Sequence, residues 1–312
     1  MSALFILGNG FDLAHAMPTK YSDFRKELIR NYPDAETYKN SLFDLDAFLE
    51  MTEDEFSAEV LLSVMDLASG EEWNDFENAL GRIDLSYKFP EFEGAEDAED
   101  HEEEMKGYLL AVNMISSCII HCSKYWQDFF RCWIREIEQK LESGIYTPKS
   151  TLVDLFSEPS NKYFTFNYTK TLQVMYGMKK VTHIHNRVGQ KLVFGHPYDD
   201  VMYGDLSDNR VPIGSSTLDD LLMSFRKDTT KQTKKYRDFF KSLDHTVDKV
   251  YSYGFSYSPV DSIYIKMIIQ RISPNAVWYF TEYDTSDKEA LRIKKVKLRR
   301  YGFKGSFGTY QG

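Results

Sequence analysis

The sequence predicts an α/β fold, an open Rossmann-like parallel sheet carrying a large helical insertion. Three observations predict it. A short apolar run, "ALFIL" (3–7), passes straight into Gly8-Asn9-Gly10 and then into a segment of helical spacing. Between about 33 and 145 almost no strand pattern appears. After 150, short aromatic or β-branched runs alternate with helical ones, the signature of strands joined by crossover helices.

The elements follow in order. Residues 3–7 read as a buried strand bounded by glycines. Tyr21, Phe24 and Leu28 recur at helical spacing over 20–31. "SAEVLLSVMDLA", "EEWNDFENALGRI" and "YLLAVNMISSCIIHCSKYWQDFFRCWIREIEQKL" read as helices, the last long or broken. "KYFTFNY" (162–168), "KVTHIH" (180–185), "KLVFGH" (191–196), "KVYSYGFS" (249–256) and "AVWYFT" (276–281) read as strands. "TLDDLLMSFRK", "YRDFFKSL" and "VDSIYIKMIIQRI" read as helices between them. The expected organisation is an α/β core of residues 1–32 and 150–312. A helical insertion over 33–149 is expected to cap the strand ends. The first strand is expected at the centre of the sheet.

Composition bounds the function. The 312 residues are 42% hydrophobic and 15% aromatic, enough for a substantial core. No basic leader precedes an apolar stretch, and no window reaches the ~20 apolar residues of a membrane helix, so a cytoplasmic protein with no membrane partner is expected. Cys118, Cys122 and Cys132 form no CxxC pair and suggest neither a disulfide framework nor structural zinc. The formal net charge is −10, which weighs against general nucleic-acid binding. "EFEGAEDAEDHEEE" (91–104) reads as an acidic loop. "RKDTTKQTKKYR" (226–237) and "RIKKVKLRR" (292–300) are basic, and would attract anions if they met in space.

Candidate chemistry gathers at strand ends. Gly8, Asn9 and Gly10 tolerate positive φ and admit a ligand to the backbone, although the same triplet makes an ordinary turn. Asp12 follows where a phosphate would be repelled, so either it points away, to a ribose hydroxyl, or the ligand is not bound as in a dehydrogenase. Asn167 closes "FTFN", with donors and an acceptor to orient water or a sugar hydroxyl, or else to form a turn. In "THIHN" (182–186), strand alternation would put His183 and His185 on one face. Acid–base chemistry, a structural hydrogen bond and a metal pair are all open to them, the metal pair requiring His196 as a further ligand. In "YSYGFSYSPVD" (251–261), Gly254 and Ser256 end a strand, and Ser258 or Asp261 can cap the helix that follows.

The set "LFILGNGFDLAHAMPTKYSDF", "WNDFENAL", "FTFNYTKTL", "HIHN", "LVFGHP" and "VYSYGFSYSPVD" resembles the abortive-infection AbiH family of bacterial phage-defence proteins, in family order from residue 4 to 261. More remotely, the same order resembles the sirtuin fold. Its Gly-Ala-Gly turn and Pro-Asp-Phe-Arg stretch are similar to Gly8-Asn9-Gly10 and Ser22-Asp23-Phe24-Arg25. Its catalytic Asn and His positions correspond to Asn167 and His185, and its late Gly-x-Ser to Gly254 and Ser256. That resemblance implies NAD as substrate or ligand, with Asn167 and His185 as catalytic residues; Asp12 joins them from its place after the glycine turn, where it would hold a hydroxyl. Gly8, Asn9, Gly10, Asp23, His183, Gly254 and Ser256 would bind it, with no metal. The departures are informative. The four-cysteine zinc module is missing, which points away from deacylation. Thr169 replaces an Asp, Asp12 has no acidic counterpart, and Asn186 stands where Gly is favoured.

The function expected is an anti-phage effector that hydrolyses NAD at the nicotinamide–ribose bond. One alternative is a non-catalytic nucleotide-sensing or protein-binding module. A nucleic-acid-processing enzyme is a further one. The partners implied are a small-molecule nucleotide and an unidentified phage trigger. The sequence leaves a homo-oligomer open.

Overall fold

The computed structural model describes residues 2–37, 51–67, 73–81, 98–197 and 216–312. It forms two compact units, residues 1–20, 131–193 and 228–312, and residues 21–130 and 194–227.

The first unit is built on a six-stranded sheet of β1 (Ser2–Leu7), β2 (Lys162–Thr165), β3 (Val181–His183), β4 (Val247–Tyr253), β5 (Val277–Thr281) and β6 (Ser306–Tyr310). The order is β3-β2-β1-β4-β5-β6, and every pairing is parallel. This is the doubly wound order, with its switch point between β1 and β4, where such sheets leave a crevice beyond the strand ends.

Alternation along β1 explains why two cores form. Leu4 and Ile6 face one side, with Phe164, Val250, Trp278 and the helix Ser262–Ile269. Phe5 and Leu7 face the other, with Tyr163, Leu152, Phe156 and Leu172. On that second face one register level carries a row of rings. Phe5 stacks on Tyr163 at 5.5 Å and on Tyr251 at 5.0 Å, and Tyr251 stacks on Tyr279 at 4.8 Å. The row ends at Gly308, where a Cβ would come within 2.7 Å of the Tyr279 ring. Such cross-strand aromatic pairs fix register as well as adding burial.

In the second unit, the helices Tyr21–Asn31, Glu53–Leu67 and Trp73–Ala79 are joined by residues 98–130 of the long helix Ala98–Glu142. Tyr21 and Phe24 pack their rings against Trp73, and Phe24 packs against Phe130. The buried Lys227 ammonium pairs with Glu77 at 2.8 Å, and the Gly195 amide donates to the same carboxylate oxygen.

Several expectations change. "KLVFGH" forms no strand, only an isolated bridge between His196 and Arg226. Gly195 sits at φ 132°, with the Phe225 carbonyl where its Cβ would be, and this breaks any regular ladder. Residues 98–104 of the acidic run are helical rather than a loop, and 91–97 lie outside the described residues. β6 was not expected, because its sequence "SFGTY" carries an interior glycine.

Candidate functional site

The turn after β1 is built by close backbone approach. Gly8 and Gly10 lie against Gly254, at the end of β4, and a Cβ on Gly254 would fall 2.3 Å from the Gly10 Cα. Gly254 is at φ 58°, the left-handed region that favours glycine. The Gly8 amide donates to the Tyr253 carbonyl and the Gly10 amide to the Gly254 carbonyl, both at 3.0 Å. These two amides therefore bind β4. Asn9 donates its side-chain amide to the Thr19 carbonyl at 2.8 Å and holds the following loop. The glycines thus let two strand ends touch at the switch point.

Asp12 is the centre of a buried polar cluster. Thr169 donates to its Oδ2 at 2.5 Å and Thr171 to its Oδ1 at 2.7 Å. Burial raises the Asp12 pKa to about 6, against lowering by hydrogen bonds from Thr169, Thr171 and Asn167, and with a smaller raising effect from Glu138. Glu138 is itself raised by burial, while Lys170 stands 3.0 Å from its Oε2.

Asp12, Thr165, Asn167, Thr169, Thr171 and His183 line one crevice with Phe11 and Leu172. The crevice is too narrow to hold a water molecule, far below the ~300–1,000 Å³ of ordinary ligand sites.

His183 is tied at both nitrogens. Nδ1 donates to the Asn167 carbonyl at 3.0 Å, and Gln173 donates to Nε2 at 2.8 Å. Burial holds its pKa down to about 4, with the Asn167 carbonyl opposing and Arg187 and Lys170 adding to the lowering. It is a neutral wall of the crevice.

His185 has different surroundings. Strand pairing ends at His183, and Asn186 turns the chain at φ 64°, which explains an Asn where Gly would also serve. The His185 ring packs near Phe166, Tyr168 and Tyr264, and Phe166 and Tyr264 belong to the core on the Ile6 side of the sheet. His183 instead shares the Phe11 and Leu172 side. The two histidines therefore do not share a face, because the alternation that would pair them stops one residue too early.

Nε2 of His185 lies 2.9 Å from Oδ1 of Asp261, and both residues are buried. Asp261 makes no capping bond to the helix Ser262–Ile269, whereas Ser258 accepts from the Val260 amide. In the sequence, Asp261 reads only as a cap. No local spacing signals a partner 76 residues away.

Of the remaining candidates, Ser256 is exposed, and its carbonyl accepts from Lys297. Asp23 lies in the first turn of Tyr21–Asn31, in the second unit. His196 donates from Nε2 to the Leu222 carbonyl. In the basic run, Arg292 pairs with Glu289, Lys294 with Asp284, and Arg299 covers the Phe307 ring. Among the described residues, no group of three His, Cys, Asp or Glu side chains could hold a metal. No helix of them is long and apolar enough to cross a membrane.

Compared with known proteins, residues 4–282 match the model of a family described as "Bacteriophage abortive infection AbiH". No curated protein and no solved structure matches the chain.

Proposed function

The chain belongs to the bacteriophage abortive-infection AbiH family, and we propose that within it this protein is a phage-defence effector that hydrolyses NAD at the nicotinamide–ribose bond. One observation carries the reading. The C-terminal ends of β1 and β2 bring Asp12 and Asn167 to one buried crevice, and the chain after β3 carries a histidine paired with a carboxylate.

Breaking that bond builds positive charge on the ribose. The ionised Asp12 carboxylate supplies a compensating negative charge, strengthened by its low-dielectric setting. The Asn167 amide orients the ribose or the attacking water. His185 lies outside that crevice, on the Ile6 side of the sheet, so in this reading it serves as the base only for a ligand that reaches over the strand ends, where accepting the proton lost by water or a ribose hydroxyl is worth ~10²–10⁴-fold in rate. The sirtuin-like pattern supports this assignment in one respect. Its two departures at positions 12 and 169 are hydrogen-bonded to each other. On this reading Asp12 stands in for the carboxylate that Thr169 lacks. NAD consumption by the purified protein, with and without His185→Ala, tests the reading.

The small crevice and the engaged Gly8 and Gly10 amides favour a second reading, a nucleotide-sensing module without catalysis. There His185→Ala keeps defence, whereas Gly10→Val abolishes it.

A further inference from the structure

We infer that Asp261 is a positioning residue, one that fixes His185 in the Nε2–H tautomer and so makes Nδ1 the ring's proton-accepting atom. The inference rests on the proposed role of His185 as the base and specifies how that role is set.

The geometry is direct. A carboxylate oxygen accepts and does not donate, so the 2.9 Å contact at Nε2 requires a proton on that nitrogen. A neutral imidazole with Nε2–H carries its lone pair on Nδ1. Asp261 is 7% exposed and His185 4%, so water competes little for the contact. The ring is also held in place. Phe166, Tyr168 and Tyr264 surround it, with centroids 5.4, 5.9 and 6.2 Å away.

The two partners come from different crossovers. His185 follows β3, and Asp261 ends the short turn Pro259–Asp261 after β4. Their pair spans strand ends on either side of β1 and β2 in the sheet order. Ser258 already accepts from the Val260 amide in that turn, so the Asp261 carboxylate is directed to His185 rather than to the backbone of its own helix. When the base accepts a proton at Nδ1, the imidazolium gains its counter-charge at Nε2 without moving. This is the orienting role that a third group plays behind a histidine base.

The test is Asp261→Asn in the full chain, with Asp261→Glu as the conservative variant. Histidine ¹⁵N chemical shifts, assigned to His185 by the loss of its signals in His185→Gln, report the tautomer without any substrate. Wild type should show Nε2–H and a lone pair at Nδ1. Asp261→Asn can donate to Nε2 and should move the proton to Nδ1. NAD turnover should then fall ~10²–10⁴-fold in kcat, with KM nearly unchanged. Asp261→Glu should restore the tautomer and part of the rate. If Asp261→Asn fails to fold, the wild-type and Asp261→Glu spectra still decide the tautomer. A wild-type Nδ1–H tautomer, or Asp261→Asn with both tautomer and kcat unchanged, overturns the inference. Wild-type protein with the Nε2–H tautomer but no NAD turnover overturns the hydrolase reading while upholding the positioning of His185.

Discussion

Thr169 Oγ1 donates to Asp12 Oδ2 at 2.5 Å, tying the segment after β2 to the short helix after β1 across 157 residues of chain. That contact places a carboxylate beside Asn167 and His183, where burial, opposed by the contact itself, raises its pKa.

Asp12 and His183 should act on stability with opposite signs over the same pH range. The folded pKa of Asp12 is raised from 3.8 to about 6, so between those values the folded state binds more protons and stability falls as pH rises. His183 is lowered from 6.5 to about 4, so the unfolded state binds more protons and stability rises with pH. Each shift corresponds to about 3 kcal/mol, and the two largely cancel. Asp12→Asn removes the first. Its stability relative to wild type should increase by about 2 kcal/mol between pH 4 and pH 6, read by denaturant unfolding at each pH. A flat difference would refute the raised Asp12 pKa.

Gly254→Ala should cost roughly 3 kcal/mol or more. The new methyl would fall 2.3 Å from the Gly10 Cα, and the position is left-handed at φ 58°. Gly177→Ala, also left-handed but with nothing within 4 Å, should cost only about 1 kcal/mol. Equal melting temperatures for the two variants would show that the strand ends do not touch.

Lys227→Met should destabilise the second unit by about 3–5 kcal/mol, because Glu77 loses its buried counter-charge. The double variant Lys227→Met with Glu77→Leu should recover much of that loss. Additive losses in the double-mutant cycle would count against the pair.

Much of the sheet was legible in the sequence. β1, β2, β4 and β5 are short apolar runs ended by glycines or polar residues, and the central place of β1 follows from its opening position ahead of the insertion. The edges were less legible. β6 is a partly exposed edge strand with Gly308 under Tyr279, and "KLVFGH" has strand composition but a backbone dictated by Gly195. At the site, the types and positions of Asp12, Asn167 and His185 were readable, but their partners were not. Asp261 and Thr171 meet their acidic or basic counterparts only through topology, and periodicity could not show that β3 stops before His185.

The most direct test of the central claim is the NAD content of phage-challenged cells carrying the wild-type protein or His185→Ala, measured by mass spectrometry at matched protein levels. Loss of NAD with wild type, and retention with His185→Ala together with loss of protection, is the expected result. Unchanged NAD in cells that the wild-type protein protects would contradict it.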